Sequence, residues 1–152
     1  MAIFLVQHGL SLPKEIDPEK GLSDQGRTDT IKIAEVAKAY QIPVKKVVHS
    51  SKKRAEQTAA IFNEILGIKP SCDCIDGINP LDDVPVFAKG IDPSSNVMVV
   101  GHLPFMERLV SYLTTGTTDL KIYRFQNSGI VCLDCDESKK WYIKWTLNPN
   151  IS

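Results

Sequence analysis

Two stretches of this chain are apolar throughout yet too short to be helices: Ile3-Phe4-Leu5-Val6 and Val97-Met98-Val99-Val100. A continuous apolar run of this length reads as a strand buried on both faces. Such a strand must be covered on both sides, and the rest of the chain supplies the covers. Residues 24–40 read as a helix, with Ile33, Ala37 and Tyr40 on one face and Ser23 as N-cap. Residues 52–66 give the strongest helical stripe, Ala55, Ala59, Phe62 and Leu66, followed by Gly67 at a C′ position. A third helix starts at Pro104, carries Met106, Val110 and Leu113, and stops at Gly116. Strands are expected at 2–7, 45–49, 71–75 and 96–100, with a short helix near 83–89. Three further strands are expected at 120–125, 129–134 and 141–147, the last two joined by a turn at Asp136-Glu137-Ser138-Lys139. The alternation predicts one α/β domain over 1–152, a three-layer αβα sandwich around a mostly parallel central sheet.

Composition narrows the function. Lys and Arg total 18 and Asp and Glu total 18, so the formal net charge is 0. This argues against a basic nucleic-acid face and against attachment to an acidic membrane. No apolar run reaches the roughly 18 residues of a membrane span. The apolar start runs straight into Gln7-His8-Gly9 with no basic leader or cleavage site, so the expected location is the cytoplasm. There Cys72, Cys74, Cys132 and Cys135 are expected to be reduced and buried. Cys132-Leu133-Asp134-Cys135 and Cys72-Asp73-Cys74 lack the paired spacing of a zinc site, and no metal or other cofactor is expected. Trp141, Tyr142 and Trp145 read as packing residues of the last strand, and His49 as structural.

Open α/β sheets bind ligands beyond the carboxyl ends of their strands. Gln7-His8-Gly9 follows the first strand, His49-Ser50-Ser51 the second, with Arg54 one turn into the next helix, and Gly101-His102-Leu103-Pro104 the 96–100 strand. Two histidines and an arginine are thereby sent to one edge of the sheet. A lone histidine after a strand is usually structural, whereas two beside glycines in this arrangement also fit a shared site. The arginine is informative because only Arg27, Arg54, Arg108 and Arg124 occur among the 18 basic residues. Guanidinium grips a phosphate with two parallel hydrogen bonds, which ammonium does not. A helix's first turn adds free N–H groups that favour an anion. A solvated helix charge beside Lys52 and Lys53 is the alternative.

The stretches Phe4-Leu5-Val6-Gln7-His8-Gly9, Leu22-Ser23-Asp24-Gln25-Gly26-Arg27, His49-Ser50-Ser51-Lys52-Lys53-Arg54-Ala55-Glu56-Gln57-Thr58-Ala59, Val99-Val100-Gly101-His102-Leu103-Pro104 and Asn127-Ser128-Gly129-Ile130 together resemble the histidine phosphatase superfamily. This is the phosphoglycerate-mutase-like clan, and the short SixA-type phosphohistidine phosphatases fit best. The resemblance implies a metal-independent hydrolase. His8 would be the nucleophile, passing through a phosphohistidine, with Arg54 and His102 holding the phosphoryl oxygens. Asp82-Asp83 falls where the family supplies an acid, and Asp83 is the candidate proton donor, a surface turn carboxylate being the other reading. The substrate would be a phosphorylated protein carrying phosphohistidine, or a small phosphorylated molecule.

One departure matters. The family opens with Arg-His-Gly, and here the first position is Gln7. A glutamine amide can donate to phosphate but carries no charge, and charge-assisted hydrogen bonds run roughly twice as strong as neutral ones. Two expectations follow: a working phosphatase helped by another cation such as Lys14 or Arg124, or a module that binds phosphate or phosphohistidine with little turnover.

Overall fold

The two apolar runs lie side by side at the centre of a six-stranded sheet. The computed structural model describes residues 1–151. In chain order the elements are β1 (Ala2–Gln7), α1 (Asp24–Ala39), β2 (Lys46–His49), α2 (Lys53–Leu66), β3 (Asp73–Cys74), α3 (Val84–Lys89), a 3₁₀ turn (Pro93–Ser95), β4 (Val97–Gly101), α4 (Phe105–Thr115), β5 (Ile130–Cys135) and β6 (Trp141–Leu147). The strand order is β3-β2-β4-β1-β5-β6. Pairs β3–β2, β2–β4 and β4–β1 are parallel, while β1–β5 and β5–β6 are antiparallel. The sheet is therefore mixed, parallel at its β3-to-β1 end.

Alternation along each strand feeds two separate cores. Phe4, Val6, Met98 and Val100 face Ile33, Ala37, Ala59 and Phe62 of α1 and α2. Ile3, Leu5 and Val99 face Val84, Phe105, Leu109 and Val110 of α3 and α4. Helices thus cover both faces, which is why the central strands carry no polar alternation. At the other end, β6 changes face. Cys132 pairs with Trp145 but Leu133 pairs with Ile143, leaving Lys144 as an extra residue in a bulge. Trp145 and Leu147 accordingly join the α1/α2 core, with Trp145 tilted against Phe4 at 6.0 Å between ring centroids. Trp141 and Ile143 join the other core.

One expected strand is absent. Residues 120–125 form no ladder. Their alternation is real, since Phe125 is buried and Tyr123 packs edge-on to it. But β1 already has β4 on one side and β5 on the other, so the segment reaches it only through the isolated Gln7–Asn127 bridge. The cysteines also differ from expectation. All four are unpaired, yet only Cys132 is buried, and Cys74 is exposed on the edge strand β3.

Candidate functional site: two histidines and an arginine at one sheet edge

Register dictates where the site forms. Gln7 is the parallel partner of Gly101, and His49 is the partner of Val100. His8, Ser50 and His102 therefore leave the sheet together from three adjacent strands. The His8 N–H donates to the Gly101 carbonyl at 3.0 Å and the Ser50 N–H to that of Val100 at 3.4 Å, extending the ladder into the site. The imidazoles of His8 and His102 lie 5.1 Å apart between centroids. Arg54, on the first turn of α2, donates its Nε–H to His8 Nε2 at 3.3 Å. The expected trio is assembled.

The backbone after His8 is locked. The Gly9 N–H donates to Thr58 Oγ1 at 2.9 Å, and the Thr58 hydroxyl donates to the Arg54 carbonyl at 2.7 Å. Asn127 Nδ2 donates to the His8 carbonyl at 2.9 Å. Glycine is required at position 9 because a Cβ there would lie 2.9 Å from both Leu22 Cδ2 and Thr30 Oγ1. One residue on, the Leu10 backbone fills the place that a Cβ at Gly26 would need. The His-Gly and Gln-Gly-Arg segments are thus two sides of one close crossing.

Hydrogen bonding fixes the tautomer of His8. His8 Nδ1 lies 2.7 Å from the Gly9 carbonyl oxygen. A carbonyl only accepts, so Nδ1 carries the proton and Nε2 keeps its lone pair. That agrees with Arg54 donating to Nε2. His102 Nε2 lies 2.6 Å from Ser50 Oγ, which itself accepts from the Lys52 N–H at 3.3 Å. Whichever of the two groups donates, His102 Nδ1 takes no part in that bond. That nitrogen is buried and has no partner among the described residues. The site therefore holds a ring nitrogen lone pair on His8 beside a buried His102 ring with one unpartnered nitrogen.

Electrostatics keep both rings neutral. Burial pulls the His8 pKa down to about 4; the Gly9 carbonyl partly opposes this, and Arg54 and Lys20 add to it. Burial likewise pulls His102 down to about 3, with His8, Arg54 and Lys52 contributing. Beside Arg54 opens a cavity of about 740 Å³, lined by Lys14, Lys20, Lys52 and Lys53 among others. Lys52 is the N-cap of α2 and its side chain makes no capping hydrogen bond to the first turn.

The remaining expected residues lie elsewhere. Asp83 is exposed and caps α3, its carboxylate accepting from the Val86 N–H at 3.0 Å. It makes no hydrogen bond to His8, Arg54 or His102. Gln7 ends β1, and its buried Oε1 has no partner among the described residues. Lys14 lines the cavity, whereas Arg124 is exposed on the unpaired segment before β5 and does not line it. His49 is buried, its Nδ1 2.8 Å from the Ser50 carbonyl oxygen. Sequence reasoning did not mark Ser50, Thr58 or Lys20. Ser50 and Thr58 were inside a segment already singled out; Lys20 sits in a loop with no motif. Among the described residues, no three His, Cys, Asp or Glu side chains cluster as a metal site.

A mixed α/β sheet presenting paired histidines and an arginine at the ends of its parallel strands is the phosphoglycerate-mutase-like fold, and the chain is similar to proteins of the histidine phosphatase superfamily. Within that superfamily the chain is similar to the SixA type. It is 26% identical to the phosphohistidine phosphatase SixA of Escherichia coli K12, over 98% of this chain and 94% of that protein. It superposes on the protein histidine phosphatase SixA complexed with tungstate with a TM-score of 0.85 at 26% identity, covering 98% of this chain and 97% of that one. The fold extends to an alpha-ribazole phosphatase from Shigella flexneri, with a TM-score of 0.79 at 12% identity, covering 100% and 98%. No family model matches the sequence.

Proposed function

We propose that this chain is a phosphatase that removes a phosphoryl group from phosphohistidine or from a phosphomonoester through a phosphohistidine on His8. The observation that carries this is the tautomer of His8: Nδ1 is committed to the Gly9 carbonyl and the lone pair on Nε2 faces the Arg54 guanidinium. A nucleophile of this kind needs no deprotonation at pH 7, because its pKa lies near 4. The phosphoryl group enters between the rings. Nε2 attacks phosphorus as the bond to the leaving group breaks. Arg54 and His102 hold the non-bridging oxygens, where charge spreads in the transition state. Water then attacks the phosphohistidine, releases phosphate and restores the neutral ring.

The identity of the leaving group decides how much acid help is needed. An imidazole leaves more readily than an alkoxide. Asp83 is the proton donor proposed from the sequence, and its carboxylate would have to leave the α3 cap to serve.

A second reading rests on Gln7. An uncharged amide stands at the end of β1, and its Oε1 is unpartnered. Losing one catalytic donor in a buried site commonly costs about 10²–10³ in rate. That would leave a module that binds phosphate or phosphohistidine with little turnover. The two readings separate in one assay. Wild type and His8→Ala are given p-nitrophenyl phosphate and a phosphohistidine-bearing protein. Turnover in wild type that is lost in the variant, with acid-labile phosphate trapped on wild type alone, supports the enzyme. Binding of phosphate without turnover in wild type supports the module.

A further inference from the structure

The loop between Asp17 and Leu22 is built like a bracket. Asp17 accepts from the N–H groups of Glu19 and Gly21 at 3.0 and 2.9 Å. Lys53, on α2, clamps it from outside, 3.2 Å from Asp17 and 3.4 Å from Glu19. The Leu22 N–H donates to Gln57 Oε1, also on α2, at 2.7 Å. Gly21 is pressed so close that a Cβ would lie 2.9 Å from Asp17 and 3.1 Å from Gln57. Between these fixings sits Lys20, whose φ of 53° is left-handed although it is not glycine. Such a conformation is uncommon, and persists where the surroundings impose it.

What the bracket holds is a free cation. Lys53 is consumed by its two carboxylates, while Lys20 makes no ion pair among the described residues. Lys20 is half-buried and lines the same cavity as Arg54, whereas Lys14 and Lys52 are exposed. Arg54 and Lys20 are also the two cations whose fields reach His8.

We propose that Lys20 is a phosphoryl-binding cation of this site, held beside His8 and Arg54 by the bracket on α2, and that it supplies the positive charge Gln7 lacks. The inference rests on the phosphatase reading and deepens it. Lys14 lines this cavity too but is exposed and is not among the cations acting on His8, and Arg124 does not line it. An ammonium binds phosphate as a point charge, so it can act from a flexible stem where a second guanidinium fork is missing.

The test uses Lys20→Met, Lys20→Arg, Gln7→Arg, the Gln7→Arg/Lys20→Met double variant, and Lys38→Gln on the far end of α1 as a charge control. Each is assayed for p-nitrophenyl phosphate turnover, and for tungstate and orthophosphate affinity by calorimetry, with thermal unfolding as a check on the fold. Lys20→Met is expected to lose about tenfold or more in both kcat/KM and anion affinity, in the range seen when one charged donor is removed. Lys20→Arg retains most of both. The double variant recovers what Lys20→Met lost, a rescue that a merely structural lysine would not show. Active wild type with an unchanged Lys20→Met, or a double variant no better than Lys20→Met, overturns the role of Lys20 and leaves the phosphatase reading standing. Wild type that binds anion but does not turn over overturns the enzyme reading, and Lys20 is then judged on affinity alone. Wild type that does neither overturns both.

Discussion

Thr58 shows how one buried hydroxyl can serve chemistry it never touches. It accepts the Gly9 N–H and donates to the Arg54 carbonyl, so it joins the backbone beside the proposed nucleophile to the turn that carries the guanidinium. Thr58→Val preserves volume and removes both bonds. The Gly9 N–H is then buried without an acceptor, a loss worth about 1–3 kcal/mol. The expected result is a lower urea midpoint by that amount together with reduced kcat/KM. An unchanged midpoint would mean that water replaces the hydroxyl. At this scale the sequence announced types better than partnerships. His8, Arg54 and His102 could be marked because each follows a strand or opens a helix. Lys20 could not, because its relevance comes from a left-handed loop residue and from contacts with α2. Nor could the Asp83 carboxylate be known to be engaged as a helix cap, since the same residue type serves both caps and catalysis.

Elements obey local rules wherever they own their surroundings. Helix α2 was expected over 52–66 and runs Lys53–Leu66, ending at Gly67 with φ of 66°. Helix α1 was expected over 24–40 and runs Asp24–Ala39, with Ser23 Oγ accepting from the Gly26 N–H at 3.0 Å. Residues 120–125 fail the same reasoning because a strand also needs an unoccupied neighbour, which periodicity does not report. Helix α1 offers a sharp test of its seat against Leu10. Helix propensity alone favours Ala over Gly by about 1 kcal/mol. At Gly26 the added Cβ would meet the Leu10 backbone, which cannot move without shifting the residues that follow His8. Gly26→Ala is therefore expected to destabilise more than Ser23→Ala, whose cap loss is typically about 1 kcal/mol. Urea unfolding of the two variants beside wild type decides it. A stabilised Gly26→Ala would show that the crossing is loose.

At the scale of the whole molecule, strand order was the part no local pattern could give. Strand β4 inserts between β2 and β1, although it follows both in sequence. That insertion, set by which apolar runs fit the centre of the sheet, places His102 beside His8 and Arg54. It also buries two imidazoles at close quarters with a guanidinium, and folding must hold them neutral. In the unfolded chain both would take up protons near 6.5, whereas in the folded chain they do so only near 4 and 3. Between those values the unfolded state binds more protons, so stability rises with pH in this window and is lost as pH falls through it. The contribution is complete above about pH 6.5. The carboxylates stay ionised down to about pH 5, so the interval from 6.5 to 5 isolates the histidines from general acid denaturation. Urea midpoints should fall steadily across that interval in wild type. A His8→Gln/His102→Gln variant should show a much flatter dependence. Saturating orthophosphate should raise the wild-type midpoint, because it binds the folded state. A wild-type midpoint that does not change from pH 6.5 to 5 would mean that the folded rings take up protons as readily as the unfolded ones, near 6.5 rather than near 4 and 3. The lone pair on His8 Nε2 would then disappear as pH falls through 6.5, and nucleophilic attack by that ring would fade in the same range instead of persisting toward pH 4.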